Sequence, residues 1–322
     1  MSVIRVVVVA GVLALSALHA YAADKFPSRP IRMIVPTGAG GVTDVLGRVV
    51  AHRLGESLGQ QVVIDNRPGA SGIVGSQIVA GAPPDGYTLL MVFPTHVVNP
   101  LLFSAMPYDT VKAFAPITIV STVSLLLTVN PELPVKSTLE LIAYAKANPG
   151  KLNYGTVGSG SLGHLGAELF RSMSGTRMTQ VPYKGSPQIL AALIGGEINM
   201  YMIASISGAM PQIKSGRMRA LGVSTKQPLP VLPNVPPIAD ALPGYEARGW
   251  NGILAPAGTP KAIIERLHAE IARIVRSPEF AQNLINEGAT AVGNTPAEFD
   301  AVIRADMKKW AVVIKDAGIK GE

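Results

Sequence analysis

A glycine-rich stretch between a predicted strand and a predicted helix is the first place in the sequence that could hold a ligand. It follows the apolar run Ile31–Val35 and consists of Thr37, Gly38, Ala39, Gly40 and Gly41. Glycine lets backbone N–H groups approach a ligand, and the N-terminus of the next helix carries a partial positive charge. The stretch therefore predicts an anion site, with a tight turn that binds nothing as the alternative. Asp44 follows in the first helical turn, where it caps the helix or complements its dipole.

A second glycine-rich stretch has the same position relative to a later strand and helix. Its glycines match the dinucleotide pattern G-x-G-x-x-G at Gly158, Gly160 and Gly163. That pattern requires an acidic residue about 20 positions later for the ribose, but Tyr183 and Lys184 occupy that region. What remains is a second anion cradle, with backbone N–H groups beside the hydroxyls of Thr156, Ser159 and Ser161.

Two anion cradles predict a small molecule held by its carboxylate ends. His96 and His164 lie near these loops, but the five histidines lack metal-ligand spacing and no G-x-S-x-G nucleophile elbow occurs. A structural or ligand-contacting role is therefore favoured for both histidines. We expect no catalytic residue, no metal and no cofactor.

Composition excludes several classes of protein. The chain has 322 residues, which favours two domains, and its lack of cysteine rules out disulfides, zinc-thiolate sites and cysteine nucleophiles. The net charge of +7 comes from dispersed Lys and Arg without interleaved aromatic residues, so we do not expect a nucleic-acid partner.

Short apolar runs alternate with helical patterns along the chain, which favours parallel sheets covered by helices on both faces. Strands are predicted at Ile31–Val35, Gln61–Asp65, Thr88–Phe93, Pro116–Val120, Leu152–Thr156, Thr179–Val181, Met200–Ile203, Ala220–Ser224 and Gly252–Pro256. The proline-rich stretch Gln227–Gly244 is predicted to be a surface connection. Thr259 is predicted to cap one late helix, and a capping box at Thr295 to open the terminal helix.

The N-terminal segment predicts export. An apolar run from Val6 to Leu18 follows Arg5 and ends near the small-x-small sequence Ala20-Tyr21-Ala22. The run is shorter than the roughly 20 residues that span a bilayer. We therefore expect residues 1–22 to be a signal peptide, cleaved after Ala22.

The chain resembles Bug-type receptors, the periplasmic solute-binding components of tripartite tricarboxylate transporters. The resemblance covers essentially all of the chain after the predicted signal and is carried by Pro36–Asp44, Leu58–Ala70, Pro84–Leu90, Thr95–His96, Asn99–Pro100, Tyr154–Leu165, Val181–Gly185 and Pro256–Pro260. So many matches in the same order make a chance likeness implausible.

The resemblance implies an α/β fold of two lobes, the type II periplasmic binding protein fold, with a central ligand cleft and two hinge crossovers. The expected lobes are residues 24–122 with 248–322, and residues 123–247. It also implies a periplasmic monomer that captures a small carboxylate solute and delivers it to the transporter's membrane subunits.

The family's ligand contacts carry over to the two glycine loops and their surroundings. The candidate ligand-binding residues are Thr37, Gly38, Ala39, Gly40, Gly41, Asp44, Thr95, His96, Thr156, Gly158, Ser159, Gly160, Ser161, His164, Tyr183, Lys184, Ala204 and Ser205. Many relatives place an aspartate after the strand Met200–Ile203, where this chain has Ala204 and Ser205. That departure argues against an amino-acid ligand. The alternative function is an exported α/β enzyme, either a nicotinamide oxidoreductase or a hydrolase.

Overall fold

The computed structural model describes residues 26–40, 42–158, 160–285 and 287–319. The predicted signal peptide, and Gly41 and Ser159 of the glycine loops, lie outside the described residues. The strands are β1 Ile31–Val35, β2 Val62–Asn66, β3 Thr88–Val92, β4 Phe114–Ser124, β5 Leu126–Val129, β6 Leu152–Thr156, β7 Met178–Pro182, β8 Met200–Ile203, β9 Arg219–Val223, β10 Arg248–Pro256 and β11 Ala289–Ala291. The helices are α1 Val42–Leu58, α2 Ile73–Ala80, α3 Thr95–Leu102, α4 Thr138–Ala147, α5 Leu162–Ser174, α6 Ser186–Ile194, α7 Met210–Lys214, α8 Lys261–Val275, α9 Pro278–Ile285 and α10 Pro296–Ala317.

The strands form two separate sheets, and both are mixed. The first sheet has the order β11-β4-β10-β3-β1-β2, and the second has the order β7-β6-β8-β5-β9. In the first, β1 is parallel to β2 and β3, while β10 is antiparallel to β3 and β4. In the second, β6 is parallel to β7 and β8, while β5 is antiparallel to β8 and β9. The predicted alternation of strands and helices is confirmed, but the prediction of parallel sheets is wrong. β5 and β10 run antiparallel to their neighbours because they carry the chain across between the two sheets.

Helix α1 divides its apolar residues between two environments. Leu46, Val50 and Leu54 are buried in the core of the first sheet. Val42 and Val45 keep 56% and 51% of their surface exposed. Spacing alone predicts one apolar face on this helix, and the structure shows that part of that face does not enter the core.

Two late helices begin differently from each other. Thr295 starts α10 with the predicted capping box, because its hydroxyl accepts the Glu298 N–H and the Glu298 carboxylate accepts the Thr295 N–H. The prediction for Thr259 is wrong. Its hydroxyl donates to the Pro256 carbonyl at 2.7 Å, and α8 begins at Lys261 after Pro260 without a side-chain cap.

The stretch Gln227–Gly244 lacks α-helix, but it is not only a surface connection. Leu229, Leu232 and Ile238 are buried, and Ile238 opens a short 3₁₀ turn. Proline removes backbone donors without preventing apolar side chains from packing, which explains why the prediction failed.

The chain passes between the sheets where β4 and β10 pair. Arg248, the first residue of β10, lies opposite Ser124, the last residue of β4, and β5 of the second sheet begins at Leu126. Fully buried Ser224 accepts the Leu125 N–H at 2.7 Å and donates to the Ala247 carbonyl at 2.5 Å. One hydroxyl thus joins all three chain segments that meet at the crossing. Among the described helices, none is both long enough and apolar enough to cross a membrane.

We expect Gly252→Ala to destabilise the fold. Gly252 lies on β10, and a Cβ there would overlap with the Phe299 ring of α10. Overpacking of this kind costs about 2 kcal/mol of unfolding free energy, which urea titration measures. Gly208→Ala is the matched control, because a Cβ at Gly208 meets nothing within 4 Å. Equal stability of the two variants would contradict the tight packing of β10 against α10.

Candidate ligand-binding site

A cavity of about 510 Å³ opens at the carboxyl ends of the parallel strands of the first sheet and reaches the second sheet. Ligand crevices of open α/β folds lie at this edge of a sheet. Most of the cavity wall is hydrocarbon. Its apolar side chains are Val42, Val45, Leu46, Val49, Phe93, Val123, Leu162, Trp250, Phe280 and Leu284.

One end of the cavity is polar. Thr43, in the first turn of α1, donates to Asn251 Oδ1 at 3.1 Å, and the Asn251 amide donates to Ser121 Oγ at 3.4 Å. All three side chains are buried and line the cavity together with Gly40. Because α1 begins here, the helix adds a partial positive charge to this end. Amide and hydroxyl donors beside a helix N-terminus suit an anion.

The first glycine loop is held by Asp44. The Asp44 carboxylate accepts the Gly40 N–H at 2.8 Å, Arg48 Nε at 3.0 Å and Asn66 Nδ2 at 2.8 Å. The Arg48 hydrogen bond, opposed by desolvation, lowers the pKa of Asp44 to about 2. Gly40 has φ +85°, which favours glycine. Asp44 is therefore a buried support for the loop, and one predicted amide donor, Gly40, is already bonded to it.

The second glycine loop is held in a similar way by His164. The Gly160 N–H donates to His164 Nδ1 at 3.2 Å, so the ring is neutral and carries its proton on Nε2. Ser161 caps α5: its hydroxyl accepts the His164 N–H at 3.3 Å and donates to the Gly158 carbonyl at 3.1 Å. Burial lowers the pKa of His164 and keeps it neutral.

A buried cluster of ionisable side chains lies next to His164. Glu168 accepts two hydrogen bonds from Arg171, at 2.7 and 3.0 Å, and one from the Tyr154 hydroxyl. Its Oε1 lies 3.9 Å from His164 Nε2. Burial, reinforced by Glu168, raises the pKa of Tyr154, so the phenol remains a donor. The cluster therefore holds His164 in place on α5, and His164 in turn holds the second glycine loop.

The loop after β8 reaches across to the first sheet. Ala204 and Ser205 line the cavity, and Ser205 and Ser207 donate to Glu287 Oε2 at 3.0 and 2.8 Å. Glu287 lies between α9 and β11 of the first sheet and also borders the cavity. A carboxylate from a distant part of the sequence is thus present beside Ala204 and Ser205.

The structure brings some predicted residues to the cavity wall and leaves others behind it. Gly40, Ala204 and Ser205 are on the wall, and Leu162 beside Ser161 extends the second loop to it. Thr156 is buried and accepts Gln180 Nε2 at 2.8 Å. Away from the lining lie Thr37, Gly38, Ala39, Asp44, Thr95, His96, Gly158, Gly160, Ser161, His164, Tyr183 and Lys184.

His96 is a core residue in this structure. It is 3% exposed, with its ring 5.0 Å from Phe114 edge-on and 6.3 Å from Tyr108 in a stacked arrangement. Burial lowers its pKa to about 4, and a weaker backbone interaction with Thr110 acts in the opposite direction. No group of three or more His, Asp and Glu side chains in the described ranges is arranged to hold a metal ion.

Sequence reasoning missed the polar end of the cavity. Thr43, Ser121 and Asn251 come from three elements far apart in the chain, and their types are common in any α/β protein. The one usable signal was an asparagine inside the largely apolar strand β10, since buried polar side chains need partners.

Two solved structures define the class of protein that this chain resembles in fold. The R. palustris protein Rpa4515, solved with adipate, superimposes with a TM-score of 0.78 at 38% identity, over 92% of this chain and 99% of that one. MatC from Rhodopseudomonas palustris, solved with malate, gives a TM-score of 0.73 at 29% identity, over 90% of this chain and 100% of that one. Both similarities confirm the predicted two-lobed periplasmic binding protein fold.

The chain belongs to the tripartite tricarboxylate transporter family of receptors, whose model matches residues 46–319. It is also 36% identical to BugT of Bordetella pertussis over 301 residues, 92% of each chain. The predicted Bug-type resemblance is confirmed. Receptors of this family are periplasmic solute-binding proteins, and the chain is one of them.

The low pKa of His96 predicts a loss of stability in mild acid. His96 takes up a proton near pH 6.5 in the unfolded chain but only near pH 4 in the folded chain. The free energy of unfolding therefore decreases as the pH falls between these values. From pH 7.5 to 5 this amounts to about 2 kcal/mol. His96→Phe removes that part of the pH slope in urea titrations.

His52→Gln is the control, because the His52 side chain is 77% exposed. It should keep the wild-type slope. Identical slopes for wild type and His96→Phe would show that His96 does not titrate as a core residue.

Proposed function

We propose that this receptor captures a small carboxylate-bearing solute between its two lobes and delivers it to the membrane subunits of a tripartite tricarboxylate transporter. The observation that carries the proposal is the cavity between the two sheets, with its polar end at the start of α1. Carboxylates accept hydrogen bonds from amide and hydroxyl donors and are favoured by a helix N-terminus.

The solved relatives support this class of ligand. Rpa4515 was solved with adipate and MatC with malate, and each of these two proteins aligns with this chain over more than nine-tenths of its own length. In this chain we assign the solute's carboxylate to the region of Gly40, Thr43 and Asn251. The glycine loops, held by Asp44 and His164, shape that region.

The lobes are proposed to be residues 24–122 with 248–322, and residues 123–247. Sheet membership supports this division except at Val123 and Ser124, which continue β4, because β1–β4, β10 and β11 form one sheet and β5–β9 the other. The hinge is then the crossing where Ser124 faces Arg248. Lobe closure around a ligand is the usual response of such proteins.

Export and partners complete the proposal. The protein is cleaved after Ala22 and works in the periplasm as a monomer without catalytic activity. The family consists of transporter receptors, which supports membrane subunits as the partner that receives the solute. Among the described residues, no contact in the site favours the enzymatic alternative over binding.

Asn251→Asp should weaken carboxylate binding at least tenfold. The substitution keeps the side chain's shape and places a negative charge at the polar end, where a ligand carboxylate would lose a charge-assisted hydrogen bond worth roughly 1.5–3 kcal/mol. Calorimetry with hexanoate and adipate measures this change in affinity. Asn234→Asp is the control, with the same change at an exposed position.

If melting shows that Asn251→Asp does not fold, Thr43→Val tests the same end by removing the donor to Asn251. Undiminished carboxylate binding by a folded variant of either residue would refute this placement of the solute.

Closure depends on Gly160. A Cβ there would lie 2.8 Å from Leu102 Cδ1 and 3.2 Å from Val98 Cγ1, both on α3 of the other proposed lobe. We expect ligand to reduce the radius of gyration of the wild type in solution scattering, but not that of Gly160→Ala. Gly216→Ala is the control: its φ is +72° against +73° for Gly160, but nothing lies within 4 Å of its Cβ position.

If ligand compacts Gly160→Ala and Gly216→Ala equally, the contact of Gly160 with α3 plays no part in closure. An unchanged wild-type radius, with binding verified by calorimetry, would refute closure altogether.

A further inference from the structure

The cavity wall has an uneven distribution of charge. Among its described residues it carries no Lys or Arg, and Glu287 is its one charged side chain. A ligand carboxylate bound at the polar end interacts with neutral hydrogen-bond donors and with the partial positive charge at the start of α1. Any further charge on the ligand must therefore meet hydrocarbon, the neutral side chains of Asn283 and Ser205, or Glu287, and none of these is a cation.

The hydrocarbon part of the wall is substantial and partly exposed. α1 presents Val42, Val45 and Val49 along one side, and α9 presents Phe280 and Leu284. Val42 and Val45 are each more than half exposed although they belong to the apolar stripe of a helix. Exposed apolar surface inside a cavity gains free energy when a ligand's hydrocarbon covers it.

Glu287 borders the cavity in the turn before β11, where its hydrogen bonds go to the loop after β8 and not to Thr43, Asn251 or Ser121. Its carboxylate is bonded to Ser205 and Ser207, which orient it without neutralising its charge.

A second carboxylate on the ligand would thus be penalised twice. Transfer of a charge from water to an apolar wall is costly when no cation pairs with it. A like charge at Glu287 adds repulsion, which grows as water is excluded.

We infer that this site takes a monocarboxylate with a hydrocarbon body, and that Glu287 and the α1–α9 wall select it against dicarboxylates. The inference rests on the proposed carboxylate-binding function and names the ligand class within it. It separates this chain from the relatives solved with adipate and malate, which are dicarboxylates.

Three six-carbon probes test the inference by calorimetry on the mature protein, stripped of bound solute by unfolding and refolding. Hexanoate ends in a methyl group, adipate in a second carboxylate and 6-aminohexanoate in an ammonium group. We expect hexanoate to bind at least tenfold more tightly than either of the other two.

Two variants assign the selectivity to its sources. Glu287→Gln keeps an acceptor for Ser205 and Ser207 but removes the charge, so adipate should bind about fivefold more tightly while hexanoate changes less than twofold. Val45→Thr keeps the side chain's shape and replaces a methyl by a hydroxyl, so hexanoate should bind about threefold more weakly. Val312→Thr, on an exposed part of α10, is the control and should change nothing.

The outcomes are distinct. Tighter binding of adipate than of hexanoate overturns the inference while the proposed carboxylate function stands. Tightest binding of 6-aminohexanoate also overturns it, and makes Glu287 a counter-ion for an amino group. Failure of all three carboxylates to bind contradicts the proposed function itself.

Discussion

The pairing of β4 with β10 is the constraint on which the rest of the molecule depends. These strands bring the chain into the second sheet and back, and the opposition of Ser124 and Arg248 fixes where it crosses. The buried Ser224 hydroxyl ties this crossing to the start of β5. Because the same two strands carry Ser121 and Asn251, the crossing and the polar end of the cavity share one ladder of hydrogen bonds. A change in its register would move both together.

Elements with a strong local signal were predictable from the sequence. The strand Ile31–Val35, the glycine loop after it and the capping box at Thr295 all depend on neighbouring residues, and the structure confirms each. The two loops were also correctly placed at helix starts. Their local supports were predictable in part, because Asp44 and His164 each lie four residues after the glycine whose N–H they accept.

The site itself depended on information that spacing does not contain. Thr43 and Asn251 are separated by 208 positions and meet only after the sheet has formed. The role of Val45 was hidden because an apolar stripe looks the same whether it packs into a core or faces an empty cavity. Glu287 reaches the loop at Ala204 and Ser205 from another part of the chain. The sequence predicted no acid at the loop after β8, and a tertiary contact places Glu287 there.

Trp250 gives the cavity an optical property. The chain has two tryptophans; Trp310 is buried in α10, whereas Trp250 lies on the cavity wall with its indole N–H bonded to Asp306 at 2.8 Å. Trp250 is itself only 2% exposed, but a solute that fills the cavity comes to lie beside its ring, whereas Trp310 does not line the cavity. The change in emission on filling the cavity therefore belongs to one indole, and the unlabelled protein reports its own occupancy.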